Sequence, residues 1–202
     1  VPPGGQKIPA IGVNLGQQLQ VGIIRTLSAY QKRPEVRETQ QALLQLIQAA
    51  RKWIYIENQY VTAAVIRDAL AERLEEDDGP EVLIITPQET AGWFEESTMG
   101  VARDRLMRRL RAADHQGRLK VVYPVVEDKR SVYVHAKLMI VDDTLAYIGS
   151  ANLTNRSLRL DSECGLLIDC RDRTEEQPAL LELLCQLFAE HLGADAATVQ
   201  RL

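Results

Sequence analysis

"VHAKLMIVDDTLAYIGSANLTNRSLRLDSE" (residues 134–163) alternates apolar runs with polar groups placed at their ends. His135 and Lys137 stand two apart, so on a strand both side chains project from one face. Asp142 closes that run at a tight turn, Asp142–Thr144, and a second apolar run leads to Gly149, Ser150 and Asn152. Folded as a hairpin, the segment returns Ser150 and Asn152 beside His135 and Lys137. Glu163 then follows at a distance that allows it to orient an imidazole and stabilise its protonated form. The set comprises one nucleophile or acid–base group, one fixed cation and two neutral hydrogen-bond donors. It suits an anionic tetrahedral phosphorus centre, whose oxygens gain charge as the reaction proceeds. A histidine attacking phosphorus would divide one hard displacement into two easier ones. Lys137 repels cations and no further His or Cys lies nearby in sequence, so neither a metal nor another cofactor is expected.

Outward from this stretch, periodicity gives alternating elements. Strands are expected at 19–25, 52–60, 81–87, 118–126, 135–141, 145–149 and 163–169, with His135 on the fifth of them. Amphipathic helices are expected over "RPEVRETQQALLQLIQAARK", over "TAAVIRDALAERLEE" with Thr62 as its cap, over "TMGVARDRLMRRLRAAD" and over "QPALLELLCQLFAEH". Strand and helix alternate early and a hairpin finishes the sheet. The fold class is therefore α/β, a mixed β-sheet with helices on both faces. Residues 1–18 carry Pro, Gly and Gln with little periodicity and read as a lead-in or interdomain linker. Residues 19–192 form one domain, and 193–202 a frayed tail.

Composition narrows the class further. The 202 residues are 46% hydrophobic and 26% charged, with 24 basic against 28 acidic side chains and a net charge of −4. A general affinity for nucleic acid is not indicated. No apolar run is long enough to cross a bilayer, and a soluble, cytoplasmic or peripheral membrane protein is expected. Cys164, Cys170 and Cys185 form no CxxC pair, and all three are expected as buried thiols.

"HAKLMIVD" followed by "GSANLTNRS" and "DSE" resembles the signature of the phospholipase D superfamily, H-x-K-x-x-x-x-D with G-S-x-N downstream. "KWIYIENQY" (52–60) resembles the I-Y-I-E-N-Q-[FY] segment that precedes the second motif in the two-motif enzymes. The likeness covers roughly residues 19 to 170. It implies that His135 is catalytic, that Lys137 and Asn152 contact the phosphate with Ser150 nearby, that Glu163 positions a histidine, and that Asp142 is a structural member of the motif. It also implies a glycerophospholipid substrate met at a membrane surface. A phosphohistidine would be resolved by water to phosphatidic acid, or by an alcohol in transphosphatidylation. A nuclease, a cardiolipin synthase-type relative and a non-catalytic binding module are the alternatives.

The resemblance also implies two histidines per site, one attacking phosphorus and one protonating the leaving alkoxide. His115 lies in a turn and His191 near the end of the closing helix, and both are expected at the surface. The second motif must then come from an N-terminal half or from a second copy of the chain. The methionine-less start and "IENQY" favour the missing half, and in that arrangement His135 takes the acid's part. Glu57, Asn58 and Gln59 are expected near the pocket, with Glu57 and Gln59 on one face of a strand. Trp93 in "AGWFEE" is a candidate for the pocket or for acyl chains.

Overall fold

The computed structural model describes residues 20–88, 93–126, 130–171 and 177–201, with the side chains of 93–100 and 177–178 left aside. The expected lead-in, 1–18, and the Trp93 side chain lie outside that description. Eight strands form one mixed sheet: β1 (Gln20–Leu27), β2 (Val36–Arg37), β3 (Trp53–Asn58), β4 (Glu81–Ile85), β5 (Leu119–Val122), β6 (Lys137–Val141), β7 (Leu145–Gly149) and β8 (Glu163–Asp169). Their order is β2-β1-β8-β7-β6-β3-β4-β5. The β3–β4 and β4–β5 pairs are parallel and the rest antiparallel.

The parallel pairs need crossover helices, and α2 (Ala64–Glu75) and α3 (Trp93–Ala113) supply them. With α1 (Glu38–Ala49) they cover one face of the sheet. Leu43, Ile47, Ile66, Leu70, Leu106 and Leu110 pack there on Ile54, Ile56, Val82, Ile84, Met139 and Val141. On the other face α4 (Gln177–Leu192) sets Leu180 and Leu184 against Tyr55, Ile140, Ala146 and Ile168. Alternate residues of each central strand serve opposite cores, which explains why these strands read as continuous apolar runs.

Several local expectations are corrected. Ala63, not Thr62, occupies the cap position of α2, without a side-chain cap, because the N–H groups of Thr62 and Ala63 donate to the Leu153 carbonyl. The strand expected to run to residue 126 stops at Val122. Beyond it Val125 forms an isolated antiparallel bridge with Ser131. Val36 and Arg37, expected in a helix, extend the sheet edge beside Thr26 and Leu27. The tail is not wholly frayed: Asp195 caps α5 (Ala196–Val199) by accepting from the Thr198 N–H at 2.8 Å. Cys170 and Cys185 are buried as expected, but Cys164 is exposed. Among the described residues, no helix is long and apolar enough to cross a membrane.

Candidate active site

The polar cluster sits at one end of the sheet, where β3, β6, β7 and β8 share an edge. Strand β6 begins at Lys137, not at His135, so the histidine stands just ahead of the strand with its side chain exposed. Opposite Lys137 across the β3–β6 pairing is Asn58. The Lys137 ammonium donates to Gln59 Oε1 at 2.9 Å and to the His135 carbonyl at 3.0 Å. Burial lowers its pKa below lysine's ordinary value, and the charge of Glu163 pulls the other way. The cation and the carboxylate therefore belong to one electrostatic neighbourhood, although they come from strands separated by β7.

Ser150 leaves the end of β7 and is fastened to the start of β8. Its N–H donates to the Cys164 carbonyl at 3.0 Å, its Oγ accepts from the Cys164 N–H at 3.1 Å, and its hydroxyl donates to Glu163 Oε2. Two residues on, Asn152 keeps its Oδ1 buried without a hydrogen-bond partner. A bare acceptor of this kind costs roughly 1–3 kcal/mol and can be satisfied only by a donor, so it is the Nδ2 side of the amide that could meet an anion.

The three residues of "ENQ" divide their work. Asn58, almost fully buried, accepts from the Leu153 N–H at 3.2 Å and the Tyr60 N–H at 3.1 Å, tying the loop after β7 to the loop after β3. Gln59 lies beyond the end of β3, so it does not share a strand face with Glu57 as expected. Its Oε1 holds Lys137, and its Nε2 donates to Tyr133 Oη at 2.8 Å, which lies 3.2 Å from Tyr60 Oη. Glu57 points to the opposite face. It is 6% exposed, accepts the Tyr55 hydroxyl and lies 2.9 Å from His191 Nε2. Burial first, and Glu57's charge second, raise the Tyr55 hydroxyl far above the ordinary phenol range.

His191 is thus corrected from a surface residue to the partner of a buried carboxylate, and Glu57 ties β3 to α4 rather than lining the cluster. Glu57→Ala is expected to lower stability by about 2 kcal/mol in urea unfolding, because it strands the Tyr55 hydroxyl and His191. Glu57→Gln, which keeps an acceptor, should cost clearly less.

Asp142 has a structural part and no contact with the cluster. The resemblance gave it a structural part in a catalytic motif, and it stands about 20 Å along the strand from His135, at the far end of β6. There its carboxylate accepts three backbone N–H bonds, from Arg51 at 2.5 Å, Lys52 at 2.8 Å and Trp53 at 2.9 Å. It fixes the register of β6 against β3 and touches none of the cluster. Sequence reasoning missed Tyr133 and Tyr60, whose hydroxyls continue the chain from Lys137 through Gln59. Only Tyr133's position two residues before His135 hinted at a role.

A mixed sheet with a lysine, an amide, a serine and a carboxylate at one end, and an exposed histidine just ahead of them, defines an α/β domain with a polar cluster at one sheet end. The family model for the cardiolipin synthase, PLD-like domain matches residues 43–183, and the chain belongs to that phospholipase D-like family. Phospholipase D zeta 2 of Arabidopsis thaliana is 40% identical over 82 residues, which cover 35% of this chain and 8% of the plant protein. The chain thus spans a small part of that relative's length. Two solved structures share the fold. Phospholipase D family member NUC from Salmonella typhimurium has a TM-score of 0.61 at 17% identity, covering 87% of this chain and 95% of its own. Phosphatidylserine synthase from Haemophilus influenzae has 0.63 at 24%, covering 86% and 39%.

Proposed function

We propose that this chain is one catalytic half of a phospholipase D-type phosphodiesterase acting on glycerophospholipids, with its second histidine supplied by another polypeptide segment. The observation that carries the reading is the gathering of Lys137, Ser150 and Glu163 at one end of the sheet, with Asn152 two residues beyond Ser150 and the exposed His135 just ahead of Lys137. Lys137 and the Asn152 amide would hold the non-bridging phosphate oxygens, so that charge developing on them meets groups already in place.

The chemistry balances with two histidines. The imidazole of one attacks phosphorus and forms a P–N bond as the P–O bond to the headgroup breaks. The other gives its proton to the departing alkoxide, and the headgroup leaves as an alcohol. Water then loses a proton to that second imidazole, attacks phosphorus and releases phosphatidic acid and free histidine. His135, in the half that carries "IENQY", takes the proton-donor part.

The test is turnover of a short-chain phosphatidylcholine by this chain together with a segment that carries a second motif, with and without ethanol. Choline release together with phosphatidylethanol formed in ethanol is the expected result, since a covalent phosphoryl intermediate can pass to either acceptor. Hydrolysis of a DNA substrate with none of phosphatidylcholine would overturn the lipid assignment. A folded chain that turns over neither, and gains nothing from a segment carrying a second motif, would overturn the enzyme.

A further inference from the structure

Strand β7 carries a buried tyrosine directly beneath the cluster. Tyr147 is 1% exposed, and its ring runs along the sheet across Gly149 and Gly165, which face each other in the β7–β8 pairing. A Cβ on Gly165 would come 2.5 Å from Tyr147 Cε2, and one on Gly149 would come closer still to the hydroxyl. Both positions are glycine because the ring takes the space a side chain would fill. The phenol therefore reaches toward the strand ends from which Ser150 and Glu163 project.

Its hydroxyl is buried, with no acceptor for its proton. Burial pushes its pKa up to about 12, the Ala151 N–H pulls the other way, and the charge of Glu163 adds to the rise. An orphaned hydroxyl is costly, and phenylalanine would fill the same space without that cost. The hydroxyl oxygen has the Ala151 N–H beside it, which leaves the proton to be given away. The anion acting on it is Glu163, whose Oε2 already receives the Ser150 hydroxyl.

We propose that Tyr147 is a positioning residue, whose hydroxyl donates to Glu163 when that carboxylate turns to receive an imidazole, so that Ser150 and Tyr147 clamp it from two sides. The inference rests on the two-histidine reading above and deepens it by assigning the group that holds the histidine's carboxylate. Tyr147 does not touch substrate. Among the described residues, the titratable groups that face Glu163 are Lys137 on β6 and Cys164 beside it on β8, with His135 two residues ahead of Lys137 in the chain. On β1, Arg25 is engaged by Glu38 of α1, and in the loop before β8 Asp161 is paired with Arg156.

The test uses free imidazole as the stand-in for the second histidine. The chain, with tyrosine labelled at the ring carbon bearing oxygen, is titrated with imidazole and followed by NMR, the Tyr147 signal being assigned by its loss in Tyr147→Phe. The expected result is a Tyr147 shift that follows imidazole occupancy and disappears in Glu163→Gln. Tyr147→Phe should bind imidazole about fivefold more weakly yet melt no lower than the wild-type chain, since it removes an orphaned group. A merely structural tyrosine would give the reverse pattern, a lower melting temperature and unchanged imidazole affinity, and that would overturn the proposal. So would imidazole failing to bind, or binding with no movement at Tyr147. An intact Tyr147 response in a chain with no phospholipid turnover would sink the phosphodiesterase reading alone.

Discussion

His135→Ala is expected to lower phosphatidylcholine turnover by about 10^2- to 10^4-fold in an assembly that holds both motifs, the range for loss of a positioned proton donor. The side chain is exposed and stands ahead of β6 rather than within it. Its removal should therefore leave the melting temperature within a degree or so of the wild type. The loss falls on kcat rather than on KM, because the imidazole acts on the leaving group and not on the bound phosphate. A substrate with a more acidic leaving group, such as a nitrophenyl phosphodiester, needs less help from an acid. The defect of His135→Ala should shrink by at least tenfold on that substrate. An equal defect on both substrates would instead make His135 the nucleophile, with the acid on the other segment. Unchanged turnover on both would remove His135 from the chemistry altogether.

Lys137→Met should behave differently. The ammonium is part-buried and anchors Gln59, so its loss frees the Gln59–Tyr133 chain and, on the proposed reading, should weaken phosphate binding. KM for the phosphodiester is expected to rise about tenfold, in keeping with a charge-assisted contact of roughly 1.5–3 kcal/mol. Kinetics on the short-chain lipid would read this directly, and a KM equal to wild type would place the phosphate elsewhere.

The parts of the fold that were legible in the sequence are those with a strong period. Strands β3, β4 and β7 and the apolar faces of α1, α2 and α4 follow from alternation or helical spacing, and all lie within a few residues of their expected bounds. What failed lies where hydrogen bonding overrides period. His135 reads as strand because "HAKLMIV" is continuous, yet the ladder begins at Lys137, where Asn58 is the last β3 residue able to pair. Gln59 continues the β3 alternation by sequence, but the chain turns after Asn58, whose side chain is spent on the Tyr60 and Leu153 N–H groups.

The site shows the same division. Lys137, Ser150, Asn152 and Glu163 converge because a hairpin and its neighbouring strand must bring them together, and local pattern is enough to see it. Glu57 and His191 are 134 residues apart, and their contact depends on how α4 crosses the sheet, which no local pattern specifies. Tyr147 was hidden for another reason. In sequence it is one more apolar residue of a buried strand, and its significance comes only from the two glycines across which it lies.

The register that delivers Lys137 to the site is set at the opposite end of β6, and there the largest loss of stability is expected. Asp142 has φ 50° and Asp143 φ 58°, left-handed values at the two central residues of the turn that the Thr144 N–H closes on the Val141 carbonyl, and aspartate tolerates them better than most residues. The Asp142 carboxylate receives the N–H groups of Arg51, Lys52 and Trp53, which lead from α1 into β3. Asp142→Ala removes both acceptor oxygens, and with them all three bonds, and places alanine at a positive φ. Charge-assisted bonds contribute roughly 1.5–3 kcal/mol each when measured singly, but neighbouring losses do not add fully, so a net cost of about 4 kcal/mol is expected. Asp142→Asn keeps one oxygen acceptor and the tolerance of left-handed backbone, and should cost about half as much. Urea unfolding of the three proteins would give these values. Because β6 pairs with β3 in one register from Val141 to Lys137, loosening that end also lets Lys137 slip from Gln59. Asp142→Ala should therefore lower turnover at temperatures well below its melting point, although Asp142 lies about 20 Å along the strand from His135. A variant that is destabilised but fully active when cold would show instead that the turn holds the fold together without setting the position of the lysine.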